Sequence, residues 1–408
     1  MSGTSIDHTV AIIVFLAAML IFIGLFSQTV ETGISYQQHN SLSTKTSDLL
    51  DNLLLNPGTP SNWGQMDWNQ ATFPTGLGIQ NPEFIQYQLS PFSLMRLYPT
   101  TGTLLNYQSQ SFCNETTRQG GALLVPSYQV INYSQAAKMM GINGTYGFSL
   151  TISPTIEVSV SETSPDPLTV SITAKGPGSS LSNATVNYCL ITSTGYDPPA
   201  YPSLDIHYGS TSTDQTGSAN LDLQSFNVNQ KPYFIIVHVS LSGLSGTGYF
   251  GRTYDATSIV PIITSFETRT VLLAHSYGIN DQGYDGNLTY NAIFLRAKDM
   301  IQTTINNGND DLKGTLYCNA TPPRECDILN IDPDINGILV VAYSKSASET
   351  GIVIMPWGLS SLGFSAILGG QYTNRDWVST DIRQVLVDNI SYQAKLSLWS
   401  SSNEGVTG

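Results

Sequence analysis

The sequence predicts an α+β protein that is mainly β, with one long N-terminal helix below a β-rich head. Three observations lead to this prediction: an uncharged apolar run from Thr9 to Phe26, a continuation of that run without Pro up to Asn56, and many short segments beyond residue 150 in which apolar and polar residues alternate. At 408 residues the chain is long enough for two or three hydrophobic cores. We therefore expect several structural units.

The apolar run TVAIIVFLAAMLIFIGLF is predicted to be a transmembrane helix. It carries no charge, and as an α-helix it rises about 27 Å, close to the hydrocarbon thickness of a bilayer. A cleaved secretory signal is disfavoured, because MSGTSIDH before the run has no Lys or Arg and FSQTVETG after it has no A-x-A site. The residues assigned to membrane and assembly contacts are Val10, Ile13, Phe15, Leu16, Leu20, Ile23 and Phe26.

The helix is predicted to continue as an amphipathic stalk, so that a rod of about 70 Å runs from Thr9 to Leu55. Its apolar residues fall mostly at three-, four- and seven-residue spacings and form one stripe that we expect to lean on the head: Val30, Ile34, Leu42, Leu49, Leu50, Leu53 and Leu54. Asn56-Pro57-Gly58 should end the helix, because Pro cannot continue the hydrogen-bond ladder and Gly accepts left-handed backbone angles.

In this order of features the chain resembles archaeal type IV pilin-like and archaellin-like surface proteins. The residues that carry the resemblance are the apolar run, then DLLDNLLLNPGTPSNWG (48–64), then INYSQAAKMMGINGTYGFSLTI (131–152). The resemblance implies that a prepilin-type peptidase removes a short leader, and that the mature helix packs in a filament core or stays in the membrane. One departure is that Gly3 follows only MS, whereas such leaders place Lys or Arg before a Gly. An uncleaved signal anchor is the alternative.

The head is predicted in three parts, 57–153, 154–253 and 254–408, above the helix of residues 1–56. The first part is rich in Pro, Gly, Asn and Tyr and is expected to be loop-heavy, with a short helix capped by Ser134 and the strand YGFSLTI at its end. The second part holds five alternating runs separated by turn residues, which predicts an all-β sandwich. It is similar to the immunoglobulin-like modules of bacterial adhesins, in which Asp214 and Gly217 would form a turn before a hairpin strand.

The third part is predicted to be α+β. TRTVLLAH reads as a strand, and GILVVAYS, TGIVIMPWG, RQVLVDN and ISYQAKLSLW supply four more. Between them, YNAIFLRAKDMIQTTINN predicts a helix with one apolar face made of Ile293, Phe294, Ala297, Met300 and Ile301. The sandwich is either inserted into this mixed head or follows it in a linear string of modules.

Charge and cysteines indicate the partners and the compartment. Only 11% of the residues are charged, against about 25% in ordinary soluble proteins, and 16 Lys and Arg stand against 30 Asp and Glu, which disfavours nucleic acid as a partner. The four cysteines lack zinc-site spacing, so two disulfides, Cys318 with Cys326 and Cys113 with Cys189, are predicted in an exterior compartment. Unpaired thiols in a reducing cytosol are the alternative. Sequons occur about as often as chance gives, at Asn114, Asn132, Asn143, Asn183, Asn287, Asn319 and Asn389.

The sequence has no motif for catalysis or for a cofactor. The five histidines are far apart without HExxH spacing, and a G-x-S-x-G elbow, a Walker A loop and a dinucleotide fingerprint are absent. The nearest approach to a metal site is DPDING, in which Asp332, Asp334 and Asn336 match the start of a calcium loop, although its twelfth position is Tyr343. We predict that the protein is not an enzyme, has no cofactor, and uses this segment as a turn.

These observations predict a cell-surface structural protein, either a pilin-like filament subunit or a minor pilin or adhesive component. The N-terminal helix would anchor it in the cytoplasmic membrane or in an extracellular filament, with the bulk outside and self-association through the helix. The head would contact a surface glycan or a partner protein. Two alternatives are a membrane-anchored receptor that never assembles, and an extracellular hydrolase whose site residues are scattered.

Overall fold

The computed structural model describes most of the helix and of the head. It covers residues 3–69, 71–83, 85–98, 103–107, 115–120, 123–126, 128–224, 226, 231–253, 258–277, 286–297, 299–306, 308–309, 311–318, 324–332, 335–372 and 377–400. Within these ranges the chain is mainly β, with one long N-terminal helix and several sheets. This confirms the predicted fold class at the level of a β-rich head above a long helix.

The helices are one long element and two short ones. Helix α1 spans Gly3–Leu55 and its 53 residues rise about 80 Å, while α2 spans Pro91–Met95 and α3 spans Tyr133–Met139. Short 3₁₀ helices occur at Trp63–Gln65 and Leu359–Leu362. The predicted cap of α3 is wrong by two residues: Asn132, not Ser134, accepts the Gln135 amide at 2.9 Å, and the Gln135 side chain accepts the Asn132 amide in return.

Twenty-three strands follow α1 in the described residues. They are β1 (Thr103–Tyr107), β2 (Glu115–Gly120), β3 (Leu123–Pro126), β4 (Tyr146–Pro154), β5 (Glu157–Pro165), β6 (Leu168–Gly176), β7 (Ser179–Ser180), β8 (Thr185–Thr194), β9 (Ser203–Ser212), β10 (Ser218–Leu223), β11 (Tyr233–Leu241), β12 (Leu244–Arg252), β13 (Ile259–Ser265), β14 (Thr270–His275), β15 (Leu288–Arg296), β16 (Gln302–Thr303), β17 (Leu312–Leu316), β18 (Cys326–Asn330), β19 (Gly337–Ser344), β20 (Thr350–Pro356), β21 (Ala366–Gly369), β22 (Val378–Val387) and β23 (Ile390–Ser400). Strands β1–β3 lie in a segment that we expected to be loop-heavy.

The largest sheet has eight strands in the order β1-β2-β3-β20-β19-β15-β16, with β17 also paired to β15. One of its faces packs on the three-stranded sheet β13-β14-β18, and both contribute to a single hydrophobic core. All pairs in the large sheet are antiparallel except β3 with β20.

The helix predicted from YNAIFLRAKDMIQTTINN is wrong, because its first part forms β15. This strand lies between β19 on one side and β17 and β16 on the other, and eight of its nine residues are buried. The sequence of a central strand that is covered on both faces is a continuous apolar run and does not alternate. Such a run also satisfies helical spacing, so periodicity alone could not separate the two structures.

Residues 157–252, which we call the two-sheet module, form two four-stranded sheets that face each other. One has the order β10-β6-β5 with β7 on β6, and the other has the order β12-β11-β8-β9. Apolar side chains from both, such as Val170, Ile172, Ile235 and Val237, share one core. All five alternating runs predicted to be strands are strands here.

The two-sheet module lies between two halves of the remaining head. Strand β4, which precedes it, pairs with β23 and β21, and β3 pairs with β20, so the chain on both sides of the module belongs to the same sheets. A further apolar cluster joins β8 and β11 of the module to β15, β19 and β20 of the large sheet. The module is therefore packed onto the head over an extended apolar contact.

Candidate functional site

The lower part of α1 is the most unusual surface of the molecule. It is long and apolar enough to cross a membrane, and the rest of the described chain buries none of its most apolar 18-residue window. The exposed fraction of the predicted contact residues runs from 51% for Leu16 to 69% for Leu20. From Thr9 to Phe26 the apolar residues occur all round the helix, a distribution typical of a helix embedded in lipid or among other helices.

The upper part of α1 is buried in the head along the predicted leucine stripe. Leu42, Leu50, Leu53 and Leu54 are at most 7% exposed and pack into the core of the sheet β21-β4-β23-β22. The stripe is shorter than predicted, because Val30 and Ile34 of the same spacing are exposed, as they lie below the head. The helix therefore changes from free to docked between about residues 34 and 42.

Polar contacts supplement the apolar docking. The Arg383 guanidinium on β22 donates to the Asp51 carboxylate at 3.1 Å and to the Ser47 hydroxyl at 3.0 Å, both on α1. It also pairs with Asp381 of its own strand. Burial disfavours the charged form of Asp381, but hydrogen bonds with Arg383 and Ser47 outweigh burial and lower the pKa of this carboxyl.

The end of α1 is tied down by Trp63, which sequence reasoning did not single out. The helix stops at Leu55, as the Asn56-Pro57-Gly58 segment predicted, and Gly58 has a φ of +91°. The fully buried Trp63 indole donates its Nε1–H to the Pro57 carbonyl at 3.0 Å and to the Gly78 carbonyl at 2.8 Å. This contact fixes the chain as it leaves the helix, so the stalk and the head are joined without a loose linker.

A buried arginine close to this junction was also missed. The Arg96 guanidinium donates to the carbonyls of Gly64 and Met66, at 3.1 and 2.6 Å, and lies over the rings of Trp68 and Phe266. Burial lowers its pKa to about 10, so it stays charged at neutral pH. Its donors are used by backbone carbonyls, which makes it a structural cross-link between loops. No spacing rule could have found it.

The described residues contain no group of three or more His, Cys, Asp or Glu side chains that could hold a metal ion. His238 is held in its strand by Thr247, 3.0 Å from its Nδ1, and burial lowers its pKa. Asn336 of the weak calcium candidate bonds through its amide to the Asp388 carboxylate, and Asp332 accepts the Ile335 amide through its carbonyl. Asp334 lies outside the described residues.

The predicted disulfide between Cys318 and Cys326 is wrong, since no disulfide occurs in the part of the chain that the structure describes. The backbones of Tyr317 and Arg324 pair directly, at 2.8 and 2.9 Å, so Cys318 and Cys326 are offset by three positions in that register and do not face each other. Cys189 is buried as a free thiol in the apolar cluster under the module, and its predicted partner Cys113 lies outside the described residues.

The predicted residues that remain are the sequon asparagines and those of the Asp214–Gly217 turn. The five described sequon asparagines are exposed: Asn132, Asn143, Asn183, Asn287 and Asn389. Asn114 and Asn319 lie outside the described residues. The turn assigned to Asp214 and Gly217 is confirmed, because the Asp214 Oδ1 accepts the amides of Thr216 and Ser218 at 2.8 and 3.0 Å and Gly217 has a φ of +78°.

Comparison with known proteins gave no match, either to a protein-family model or to a curated protein. The functional interpretation therefore depends on the geometry of α1 and of the head.

Proposed function

We propose that the protein is an outward-facing cell-surface structural subunit whose N-terminal helix serves both as a membrane anchor and as an assembly element. The observation that carries the proposal is the division of α1 into two halves. Residues 9–26 project from the molecule with apolar side chains all round, whereas residues 42–54 bury one apolar face in the head. The same helix thus projects an apolar segment from the molecule and is held in the head by its other end.

Such a rod requires a partner. An apolar surface of this extent in water is far larger than the patches that soluble monomers expose, so lipid or other helices must cover it. Lipid covers it in the anchored state, and the helices of further copies cover it in a filament. The polar, weakly charged head suits the aqueous side, which supports a location on the cell surface in the cytoplasmic membrane or in an extracellular filament.

The junction supports the resemblance to type IV pilin-like and archaellin-like proteins. The segment DLLDNLLLNPGTPSNWG combines the buried stripe, the helix stop and the Trp63 anchor within 17 residues. A subunit that transmits force from a filament core to its head needs a rigid joint of this kind. Mass spectrometry of the mature N-terminus tests processing of the leader: a start at Thr4 would favour a pilus-like assembly, and a retained Met1 would favour a permanent signal anchor.

We further propose that the two-sheet module is an immunoglobulin-like sandwich that takes part in adhesion. Its two antiparallel sheets share one core, and the Asp214–Gly217 turn precedes β10 as in adhesin modules. The exposed asparagines of the five described sequons are proposed as glycan acceptors. Peptide mass mapping of the native protein, with and without deglycosylation, tests their occupancy.

The decisive experiment replaces Leu16 by Asp in the full chain. A carboxylate at the middle of the apolar run costs about 3 kcal/mol of insertion free energy, and it would also lie between packed helices in a filament. We expect Leu16→Asp to remove the protein from the membrane fraction and from surface filaments. Gln38→Asp, at an exposed polar position on the same helix, is the matched control, and this variant should remain in the membrane fraction and in surface filaments.

Two results would distinguish or contradict the proposed roles. Retention of wild-type protein in membranes without any filament by electron microscopy would favour a non-polymerising, membrane-anchored receptor. An unchanged location and assembly state of Leu16→Asp would contradict both roles of the helix.

A further inference from the structure

A cavity of about 700 Å³ lies where the two-sheet module meets the C-terminal part of the head. Its walls come from the end of β4, from β5, from β12 and from the residues that follow the second 3₁₀ helix. Cavities that hold small ligands have volumes of this order. The anchoring and assembly proposed for α1 do not depend on this cavity.

The walls of the cavity are fixed by close backbone packing. A side chain at Gly248 would place its Cβ 2.5 Å from the Val158 carbonyl oxygen, and one at Gly363, which has a φ of +78°, would place it 2.1 Å from that of Thr247. Ser245 next to this wall donates its amide to the Ser391 hydroxyl at 3.1 Å, which ties β12 to β23. The cavity is therefore pre-formed and does not depend on a loop closing over it.

One wall is aromatic. The rings of Phe234, Tyr249 and Phe364 stack in a row, with centroids 5.5 and 5.8 Å apart. Phe234 is buried, whereas Tyr249 and Phe364 are only half-buried and line the cavity. Burial raises the pKa of Tyr249, so its hydroxyl remains a neutral hydrogen-bonding group.

The other lining residues are mixed: Pro154, Val158, Val160 and Leu362 are apolar, and the polar ones among them restrict the class of ligand. Ser153, Ser159 and Ser365 contribute short hydroxyl groups, and among the lining residues that the structure describes Glu157 is the one charged side chain. An anionic ligand would be repelled by this carboxylate, although Lys175 lies opposite it on β6, and a purely apolar ligand would leave the hydroxyls without partners. A neutral ligand with one apolar face and several hydroxyls matches both walls.

We propose that this cavity binds a neutral saccharide. The face of Phe364 that is turned away from Tyr249 provides the surface on which the apolar face of a sugar ring stacks, and the Tyr249 hydroxyl offers a hydrogen bond beside it. Glu157 accepts hydrogen bonds from sugar hydroxyls at the exposed side, and the serine hydroxyls exchange hydrogen bonds with the others.

The test is a titration of the full-length protein in a detergent without a sugar headgroup, because a glycoside detergent would compete for the site. The probes are the methyl glycosides of glucose, galactose, mannose and N-acetylglucosamine, followed by saturation-transfer NMR and calorimetry. We expect at least one of them to bind, and glucuronate to bind at least about tenfold more weakly because of Glu157.

Three variants locate the binding. Phe364→Leu removes the ring and keeps an apolar side chain, and should weaken binding about tenfold. Glu157→Gln changes an exposed strand residue, so folding is preserved. It should weaken binding of the neutral sugar several-fold and should reduce the difference in affinity between the neutral sugar and glucuronate. Glu267→Gln, which changes an exposed carboxylate elsewhere on the head, should change neither the affinity for the neutral sugar nor the discrimination against glucuronate. The proposal is overturned if none of the four glycosides binds, or if Phe364→Leu and Glu157→Gln both bind them with wild-type affinity.

Discussion

The two halves of α1 differ in what covers them and not in their secondary structure. Leu20 and Leu50 lie on the same continuous helix, yet Leu20 is 69% exposed and Leu50 is fully buried. The upper half is stabilised by packing on the head. The described residues of the head bury none of the apolar window of the lower half, so its free energy of burial remains available for lipid or for other copies of the chain. The same residue type therefore serves folding in one half and anchoring or assembly in the other.

The largest expected effect separates the halves directly. Leu50→Ala should lower the free energy of unfolding of the head by about 2–5 kcal/mol, because it leaves a cavity in a packed core. Leu20→Ala, the same substitution in the exposed half, should leave that free energy unchanged. The measurement is urea unfolding of both variants in detergent, monitored by tryptophan fluorescence. Equal losses in the two variants would mean that the lower half also packs on the head.

A smaller effect is expected at the joint between helix and head. Trp63→Phe removes the indole N–H that serves two buried carbonyls, so it should destabilise the head by about 2 kcal/mol. Trp377→Phe is the matched control, since Trp377 is 58% exposed and should change stability little. If Trp63→Phe proved as mild as its control, Trp63 would not be what fixes the chain after the helix.

Sequence reasoning predicted the features of α1 that depend on local rules. The uncharged run, the leucine spacing from Leu42 to Leu54 and the stop after Leu55 all follow from hydropathy, helical periodicity and the chemistry of Pro and Gly. The lower limit of the docked stripe could not be predicted, because Val30 and Ile34 have the same spacing and only the position of the head decides that they are exposed.

The strands of the head were predictable where they alternate or where Gly and Pro bound a short apolar run. The alternating strands of the two-sheet module were found, and so were the fully buried β19 and β20. Strand β15 is equally buried but lies in an 18-residue stretch without Gly or Pro, and it was mistaken for a helix. The cavity beside Phe364 and the cross-link made by Arg96 could not be predicted either. Each combines residues from distant parts of the chain, such as Glu157 with Phe364 or Arg96 with Phe266, and this proximity exists only after folding.

The smallest expected effect concerns the ion pairs that hold the docked half. Arg383→Gln should cost about 0.5–1 kcal/mol of stability, because Arg383 and Asp51 are both partly exposed and solvent screens the pair. Arg296→Gln, at the end of β15 with its partner Asp299 only three residues further along the chain, should cost less.

The contribution of Arg383 should also depend on pH. The pKa of Asp381 is lower in the folded protein than in the unfolded chain, so its stabilising effect is fully present above the unfolded value near 4 and is lost as pH falls through the folded value. The difference in unfolding free energy between wild type and Arg383→Gln should therefore shrink on acidification from pH 6 to about pH 3. A difference that stayed constant over this range would show that Arg383 contributes by packing and not by its charge.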